Sequence, residues 1–533
     1  MAATEPSPSG PSLTRRIAVA ALLIAVGNIV SRVIGLAREA VIAGVFGRGP
    51  EVAAFTAASA VPTILYDLLV NGAISAALVP VFSAYAEQDE EQLWRVASTV
   101  INLALLALAA VCALLAWQAP LAVTVLVGGF PPELRDLTVR MTQLLLPSAV
   151  LMGLSGLITA LLYARQHFLL PAFTTSAFNG GIIIGALLLE PLLGPMSLVA
   201  GVLLGSGLQV ALQLPGLRGI RSGASGARPG RGGTPAPLLM MDLRHPGVRR
   251  ILRLYAPVAL GIGFSVIGII LDRNLASRLE AGTIPTMRYA TTLIQLPLGL
   301  VAAAVSFAVL PTLSRQAEAR EELAFRTTLA MGIKVVLLLI LPAAAGLAAL
   351  ARPVVALLFE RGAFDVADSL ATARALLLYL PGLPAAAVDQ MLLFAFYARQ
   401  RTLAPNLVQG AAIGIYAVSA LALLASGLGI EALILGNTAQ WIGHMLLMLL
   451  LARRLVDLGG LRIGEALLKC ALASLALFAV AWGIGGWLAP AHPLVQVAAA
   501  GVPAAACYMA ACLALRVEAL DFFVGAVRRR LGR

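Results

Sequence analysis

The sequence predicts an all-α polytopic membrane protein with about 14 transmembrane helices. Composition is the first reason, because 60% of the 533 residues are hydrophobic and only 12% are charged, whereas a soluble globular chain has about 25% charged residues. The second reason is a series of long apolar runs, and the third is an internal repeat of two six-helix halves. The mean hydropathy of +0.92 excludes a soluble globular protein.

Fourteen apolar runs are long enough to cross a membrane as helices. Their approximate bounds are residues 17–46, 52–85, 95–127, 137–164, 168–190, 195–217, 250–281, 286–314, 327–350, 368–398, 403–427, 430–452, 465–489 and 493–515. A proline inside a helix removes a backbone hydrogen bond and bends the helix. We expect such kinks at Pro62, Pro147, Pro257, Pro297 and Pro381.

Arginines are distributed unequally between the connections of these spans. The even-numbered connections and the C-terminal tail contain most of them, which predicts that both termini are cytoplasmic. The net charge of +12 belongs to this pattern. A nucleic-acid platform is not expected, because aromatic residues make up only 6% of the chain and do not alternate with the basic residues.

The two halves of the chain contain the same short motifs. Leu161-Leu162-Tyr163-Ala164-Arg165-Gln166 recurs as Ala395-Phe396-Tyr397-Ala398-Arg399-Gln400, and Val79-Pro80 recurs as Leu310-Pro311. Six predicted helices separate the equivalent positions, so both halves have the same orientation in the membrane. This is a parallel repeat about an axis along the membrane normal, an arrangement found in alternating-access transporters. We expect a central cavity between the two halves.

The spans and connections divide the chain into six predicted segments. They are a cytoplasmic N-terminal tail (1–16), an N-terminal six-helix lobe (17–218), a cytoplasmic linker (219–249), a C-terminal six-helix lobe (250–456), two additional transmembrane helices (457–516) and a basic cytoplasmic tail (517–533). The linker is rich in glycine, proline, serine and arginine, a composition typical of flexible connections.

Nothing in the sequence indicates covalent chemistry. The four cysteines lie in apolar segments without a C-x-x-C pair, and the four histidines are scattered without metal-ligand spacing. Nucleotide-binding loops and hydrolase motifs are also missing from the sequence. We therefore expect neither an enzyme nor a bound metal or cofactor.

The first predicted span contains charges where a membrane helix normally has none. Arg32, Arg38 and Glu39 lie within eight residues of each other, next to Ser31. One charge near the bilayer centre costs about 2.5–3.5 kcal/mol on insertion scales. A segment that accepts this cost three times is expected to use the charges, facing a protein cavity or water rather than lipid.

Further polar residues interrupt other spans. In the second span, Asp67, Asn71 and Ser75 follow one another at helical spacing and form a polar stripe. The other polar positions are Asp272 and Arg273 in the seventh span, Arg288, Thr291, Thr292 and Gln295 in the eighth, and Asp389 and Gln390 in the tenth. Each also has a structural interpretation, since embedded charges pair to hold helices together or become solvated at a helix end.

Arginine in a membrane cavity favours an anionic ligand. Its planar guanidinium binds phosphate through two parallel hydrogen bonds and stays charged at any working pH. A diphosphate headgroup matches two or three such groups. A cationic drug would instead require acidic residues.

A set of short motifs extends over about residues 30–410. They are 31–40 (SRVIGLAREA), Phe46-Gly47, Pro62, Asn71-Gly72-Ala73, Ser75-Ala76-Ala77, Val79-Pro80, Pro297-Leu298-Gly299, Leu310-Pro311, Phe359-Glu360-Arg361-Gly362 with Phe364, and Phe396-Tyr397-Ala398-Arg399-Gln400. These motifs resemble the MurJ/MviN family, the lipid II flippases of the MOP (multidrug/oligosaccharidyl-lipid/polysaccharide) superfamily. The count of fourteen helices extends the similarity to the whole chain.

The resemblance implies two six-helix lobes around a cationic cavity, with the last two helices forming a groove for a lipid tail. It implies alternating access that moves an undecaprenyl-diphosphate-linked peptidoglycan precursor from the inner to the outer leaflet. Combined with the embedded charges, it makes Ser31, Arg32, Arg38, Arg288 and Arg273 the expected headgroup-binding residues. The residues expected to act in gating or ion coupling are Glu39, Asp67, Asn71 and Asp272.

The chain departs from the family pattern at three places. An acid that usually precedes the second helix aligns with Ala53, with Glu51 nearby as a substitute. A basic pair in the second helix is replaced by Tyr66-Asp67. The family has an arginine in the eighth helix at the position of Thr292. Three explanations stay open: Arg288, one turn away, or Arg273 takes its place, the cargo differs, or transport is lost.

Several functions stay open on the sequence alone. A lipid II flippase is the first, and the alternatives are a flippase for another polyprenyl-diphosphate-linked glycan, a multidrug antiporter of the same superfamily and a non-transporting scaffold for cell-wall assembly. Energy would come from the membrane potential or from coupled H⁺, Na⁺ or Cl⁻. We expect a monomer in the bacterial inner membrane whose partners are the lipid-linked cargo, membrane lipids and cell-wall synthesis proteins.

Overall fold

The structure, a computed structural model, describes residues 13–71, 77–88, 90–223, 242, 244–401, 403–453 and 459–520. Every regular element in these ranges is a helix. The α-helices are α1 (Leu13–Phe46), α2 (Pro50–Tyr66), α3 (Val79–Gln88), α4 (Glu90–Trp117), α5 (Ala119–Val127), α6 (Pro132–Ala164), α7 (Leu169–Ala172), α8 (Thr174–Ile184), α9 (Glu190–Leu193), α10 (Met196–Gly223), α11 (Pro246–Ala276), α12 (Thr283–Pro297), α13 (Ala304–Glu318), α14 (Glu322–Ala349), α15 (Ala351–Phe359), α16 (Val366–Tyr379), α17 (Leu383–Ala398), α18 (Leu403–Ala425), α19 (Ile430–Arg453), α20 (Ile463–Trp487) and α21 (Pro493–Ala514).

The all-helical membrane fold predicted from the sequence is confirmed. Among the described residues, 11 helical stretches are long and apolar enough to cross a membrane. The first, seventh and eighth predicted spans, which are not among these 11, correspond to α1, α11 and the run from α12 to α13. The count of fourteen therefore stays a prediction.

Two predicted kinks coincide with a change of helix type. Pro297 ends α12, and a π-helical turn follows at Leu298–Ala303. Pro381 lies in a short 3₁₀ turn, Leu380–Gly382, between α16 and α17. Proline lacks the N–H that the regular α-helical ladder needs, so the chain adopts another local hydrogen-bond pattern there.

The internal repeat is visible in the backbone. A π-helical turn follows α2 at Asp67–Asn71, and its start lies 231 residues before that of Leu298–Ala303 (298 − 67). The same offset separates the two Val/Leu-Pro motifs (311 − 80 = 231).

The repeated Tyr-Ala-Arg-Gln motif ends a helix in the same way twice. Gln166 and Gln400, which follow α6 and α17, both have positive φ, 60° and 57°. In each case the next residue donates its N–H to a carbonyl five residues back, from His167 to Leu162 at 2.8 Å and from Arg401 to Phe396 at 3.0 Å. This is the Schellman pattern, which satisfies the last carbonyls of a helix.

Contacts between Cα atoms divide the chain into two compact units. The first contains Met1–Arg38, Ala58–Ala119 and Val139–Ile262. In its described part, an apolar core joins the end of α2, helices α3, α4 and α6, and the start of α11. Phe82 and Leu93 are fully buried there.

The second unit contains Glu39–Ala57, Pro120–Thr138 and Gly263–Arg533. Within it, α20 and α21 pack against each other and against α14. Their shared core includes Cys470, Ala504 and Cys512. Tyr508 of α21 donates its hydroxyl to the carbonyl oxygen of Leu338 in α14 at 2.6 Å, so a buried hydroxyl fixes the register of these helices. The predicted lobe boundaries stay predictions.

Candidate functional site

In the first unit, the charged segment of α1 is joined to α8 by a single amide. Arg38 donates an N–H to Oδ1 of Asn179 at 2.8 Å. The Asn179 Nδ2 lies 3.4 Å from the backbone oxygen of Ser31, about two turns earlier on α1. A Cβ at Gly35 would lie 3.4 Å from the same Nδ2. A Cβ at this position would thus make an ordinary van der Waals contact with the amide, which lies against α1 and orients Arg38.

The remaining predicted residues of the first unit are placed as follows. Arg32 and Ser31 are partly buried in α1, and Asp67 is partly buried at the start of the π-helical turn. The side chain of Asn71 lies outside the described residues. The structure thus links Arg38 and Ser31 through Asn179.

In the second unit, the acid of the charged α1 segment, Glu39, forms a buried ion pair. Arg288 of α12 donates to both carboxylate oxygens of Glu39, each at 2.8 Å. Its third contact is the Thr56 hydroxyl at 2.8 Å, and its guanidinium carbon lies 5.5 Å from the ring centroid of Phe55. The Glu39 side chain is 1% exposed and the Arg288 side chain 15%.

Several contacts therefore compensate for the burial of these two charges. A buried pair must recover the cost of leaving water, which requires good geometry and additional hydrogen bonds. The two-point Arg288–Glu39 contact and the Thr56 hydroxyl supply both. The sequence predicted Glu39 and Arg288 as functional residues, but it did not predict that they bind each other.

A second polar group lies near the end of α11. Asp272 accepts a hydrogen bond from the Tyr416 hydroxyl at 2.7 Å. It also accepts one from the Asn437 amide at 3.2 Å. Arg273, the next residue, is partly buried in the last turn of the same helix. Asp272 is thus held by neutral donors from α18 and α19.

Two glycines bring the end of α1 against the loop between α15 and α16. Ala363 donates its backbone N–H to the Gly44 carbonyl at 2.8 Å. Gly362, in the second unit like Gly44, has a φ of +58°, and a Cβ there would lie 2.1 Å from the Gly44 oxygen. Only glycine fits such a contact, which explains why this motif ends in Arg361-Gly362.

The aromatic residues of that motif pack around the same loop. The Tyr289 hydroxyl donates to the Gly47 carbonyl at 2.8 Å. Its ring lies 5.3 Å from Phe359 and 5.5 Å from Phe364, measured between centroids. The family-like Phe359 and Phe364 are therefore packing residues in this structure.

The positions that depart from the family pattern lie in distinct environments. Ala53 is fully buried, and Glu51 is partly buried. Thr292 donates its hydroxyl to the Arg288 carbonyl at 2.9 Å, so its polar atom bonds its own helix.

Sequence analysis missed three polar partners. Asn179, Thr56 and Asn437 contact Arg38, Arg288 and Asp272, respectively. Their signal was weak, since each is an uncharged polar residue within a mainly apolar span. His444 was identified only as an isolated histidine, and it lies 2.8 Å from Asp389.

No metal site is found in the described ranges, where no group of three or more His, Cys, Asp and Glu side chains has suitable positions. The polar groups of both units consist of arginine, carboxylate and neutral hydrogen-bonding side chains on apolar helices. This chemistry suits binding and helix pairing within a membrane.

Comparison with solved structures identifies the fold. An inward-facing MATE multidrug resistance transporter of the MOP superfamily matches over 82% of this chain and 95% of its own, with a TM-score of 0.65 and 14% identity. A lipid II flippase MurJ in an inward closed conformation matches over 93% of this chain and 99% of its own, with a TM-score of 0.76 and 24% identity. The fold is that of the MOP-superfamily transporters.

Sequence comparison then gives the family. The model of the lipid II flippase MurJ family matches residues 42–492. The lipid II flippase MurJ of Burkholderia cenocepacia is 32% identical over 407 residues, which are 74% of this chain and 75% of that protein. The chain belongs to the MurJ family. It is therefore a multi-pass membrane transporter and not an enzyme.

Proposed function

We propose that the chain flips lipid II, the undecaprenyl-diphosphate-linked peptidoglycan precursor, from the inner to the outer leaflet of the bacterial inner membrane. Membership of the MurJ family supports this cargo. The parallel repeat supports alternating access as the mechanism. Both termini would lie in the cytoplasm.

The observation that supports this proposal most directly is the charged segment of α1. Arg32 and Arg38 lie six residues apart on one membrane helix, and Asn179 orients Arg38 with a 2.8 Å hydrogen bond. Two guanidinium groups on one helix suit a diphosphate, because each binds phosphate oxygens in a two-point geometry. We assign headgroup binding to these arginines and to Ser31.

Arg288 and Arg273 remain proposed headgroup ligands on the basis of the sequence. Arg288 already binds Glu39 and Thr56, so a phosphate that contacts it would add to these bonds or replace one of them. Glu39, Asp67, Asn71 and Asp272 are the proposed gating or coupling residues. H⁺, Na⁺, Cl⁻ or the membrane potential would drive the cycle.

Complementation tests the proposal. A bacterium depleted of its own lipid II flippase should grow when it expresses this chain, and Arg32→Ala or Arg38→Ala should abolish rescue while the protein still accumulates in the membrane. Arg374→Ala is the matched control, because the Arg374 side chain is 73% exposed and pairs with Glu431 at 3.1 Å.

Two outcomes would contradict the proposal in different ways. Rescue by both α1 variants would show that these arginines do not bind the headgroup. Failure of the well-expressed wild-type chain would contradict lipid II as the cargo and favour another polyprenyl-diphosphate-linked glycan or a scaffold function.

A further inference from the structure

A cavity lined by both apolar and charged residues lies in the second unit beside the first turns of α20, and none of its lining residues belongs to the α1 segment. Its volume is about 260 Å³, room for several waters at roughly 30 Å³ each. The lining comes from α14, the turn before α20 and the residue Glu518 after α21. The lining residues are Thr327, Ala330, Met331, Lys334, Gly460, Leu461, Arg462 and Glu518.

One wall of the cavity is a single face of α14. Thr327, Ala330, Met331 and Lys334 follow at i, i+3, i+4 and i+7, the spacing that aligns side chains on a helix. Lysine is rare in this chain, since only Lys334 and Lys469 occur among 38 basic residues. Lys469 lies on α20, where it pairs with Glu465 at 2.7 Å. Both lysines therefore lie near this region of the second unit.

The charges of the cavity differ in how deeply they are buried. Lys334 pairs with Glu518 at 2.6 Å, yet the lysine side chain is 6% exposed and the glutamate side chain 59%. Glu518 therefore reaches the ammonium from solvent, whereas Lys334 stays in the wall, so an anion that displaces the carboxylate must itself pair with the ammonium. An ammonium has three N–H donors, and Glu518 accepts one of them.

The surroundings add further positive charge. Arg462 lines the cavity with a side chain that is 77% exposed. Arg326 holds the opposite turn by donating to the Gly459 carbonyl at 3.3 Å. Among the lining residues, the positive charges of Lys334 and Arg462 exceed the single carboxylate of Glu518.

We propose that this cavity binds a phosphate group, with Lys334 and Arg462 as its ligands and Glu518 as an internal carboxylate that the phosphate displaces. A tetrahedral oxyanion uses several donors at once, and ammonium and guanidinium together supply them. The source is either the headgroup of an anionic membrane lipid or free phosphate. The proposal does not depend on the flippase function, since binding is measured without transport.

The test uses the full-length purified protein in nanodiscs. In discs of phosphatidylcholine, inorganic phosphate is titrated and the thermal unfolding midpoint is followed, because a ligand that binds the folded state raises it. In a second arm, native mass spectrometry counts phosphatidylglycerol molecules retained by the protein. Binding in the first arm indicates free phosphate, and binding in the second arm alone indicates a lipid headgroup.

Charge variants give the expected signature. Lys334→Gln should weaken binding about tenfold or more, since a charge-assisted hydrogen bond is worth about 1.5–3 kcal/mol. Arg462→Gln should weaken phosphate binding several-fold. Because the Arg462 side chain is exposed, this variant should fold, and it provides the test if Lys334→Gln does not fold. Glu518→Gln should strengthen binding, because the competing carboxylate is neutralised. Lys469→Gln, the same chemical change outside the lining, should have a much smaller effect than Lys334→Gln, because Lys469 reaches the ligand Arg462 only through their shared partner Glu465.

The opposite signs of the Lys334 and Glu518 effects separate a ligand site from a purely structural ion pair. The proposal is overturned if neither phosphate nor phosphatidylglycerol binds, if Glu518→Gln weakens binding, or if Lys469→Gln has the same effect as Arg462→Gln.

Discussion

Arg288 binds Glu39 through two hydrogen bonds of 2.8 Å, between residues 249 positions apart in the chain. Both side chains are largely buried, and Thr56 and Phe55 complete the environment of the guanidinium. This contact fixes the Glu39 end of the charged α1 segment within the second unit. Its strength can be measured separately from transport.

Breaking this pair should destabilise the protein strongly. Glu39→Gln or Arg288→Met alone should cost about 3–5 kcal/mol, because the remaining charge stays buried without its partner. The double variant should recover much of this loss. Thermal unfolding of the four proteins gives the coupling energy of the pair.

The exposed pair Arg95–Glu91 is the control for that cycle. Its side chains are 45% and 69% exposed, and the N···O distance is also 2.8 Å. Coupling between Arg95→Gln and Glu91→Gln should be about 0.5 kcal/mol or less. Equal coupling in both cycles would show that burial of Glu39 and Arg288 adds nothing.

Gly362→Ala should prevent stable folding. The new Cβ would lie 2.1 Å from the Gly44 carbonyl oxygen, and the backbone has a φ of +58°. Gly194→Ala is the matched control, because its φ is +53° and no atom lies within 4 Å of the position that a Cβ would take there. The ψ of Gly194 is −134°, so alanine there should lower stability only through backbone strain, by about 1–3 kcal/mol.

Expression in membranes and the unfolding midpoint measure both glycine variants. A Gly362→Ala protein as stable as Gly194→Ala would contradict the close contact between the end of α1 and the α15–α16 loop.

Gln166→Gly and Gln400→Gly should each stabilise the protein. Both glutamines have the left-handed conformation after a helix, which costs a non-glycine residue about 1 kcal/mol and which glycine adopts freely. We expect a higher unfolding midpoint for each variant and nearly additive effects, since the two positions lie in different units.

The control for these substitutions is Gln118→Gly. Gln118 lies between α4 and α5, and its φ is not positive. Glycine at this position should lower stability by about 0.5–1 kcal/mol, because glycine loses more conformational entropy on folding than glutamine does. If Gln118→Gly were also stabilising, the effects of Gln166→Gly and Gln400→Gly would have to come from loss of the side chain and not from backbone conformation.

The sequence predicted those features of the fold that depend on local pattern. Apolar runs of membrane length identified the helices, and the Tyr-Ala-Arg-Gln repeat located two helix ends whose backbones now match at Gln166 and Gln400. Pro297 and Pro381 coincide with changes of helix type, because proline lacks the backbone N–H that the α-helical hydrogen-bond pattern needs.

The partners of the buried charges could not be predicted in this way. Glu39 pairs with a residue of α12, and Arg38, its neighbour in sequence, bonds Asn179 of α8. Adjacent residues on a helix point about 100° apart, so each meets a different element. Which element lies there depends on how the helices pack, and no spacing in a single sequence contains that information.

Substitutions of Asn179 should separate the stability of the α1 segment from its proposed role in headgroup binding. Asn179→Ala removes a hydrogen-bond acceptor of Arg38 and should reduce both the unfolding midpoint and transport. Asn179→Asp keeps an acceptor and adds a negative charge, which strengthens its bond to Arg38. Stability should then fall less than in Asn179→Ala, although the Nδ2 contact to the Ser31 carbonyl is lost. Transport should fall at least as far as in Asn179→Ala, since the new carboxylate competes with the diphosphate for the guanidinium.

Asn274→Asp is the matched control for the added charge, and complementation measures transport in all three variants. Asn274 likewise accepts hydrogen bonds from an arginine, Arg278, at 3.0 and 3.2 Å. Neither of these residues is assigned to headgroup binding, so complementation should persist in Asn274→Asp. Full complementation by Asn179→Asp would remove Arg38 from the proposed headgroup site and leave the Asn179 contact as a purely structural link between α1 and α8.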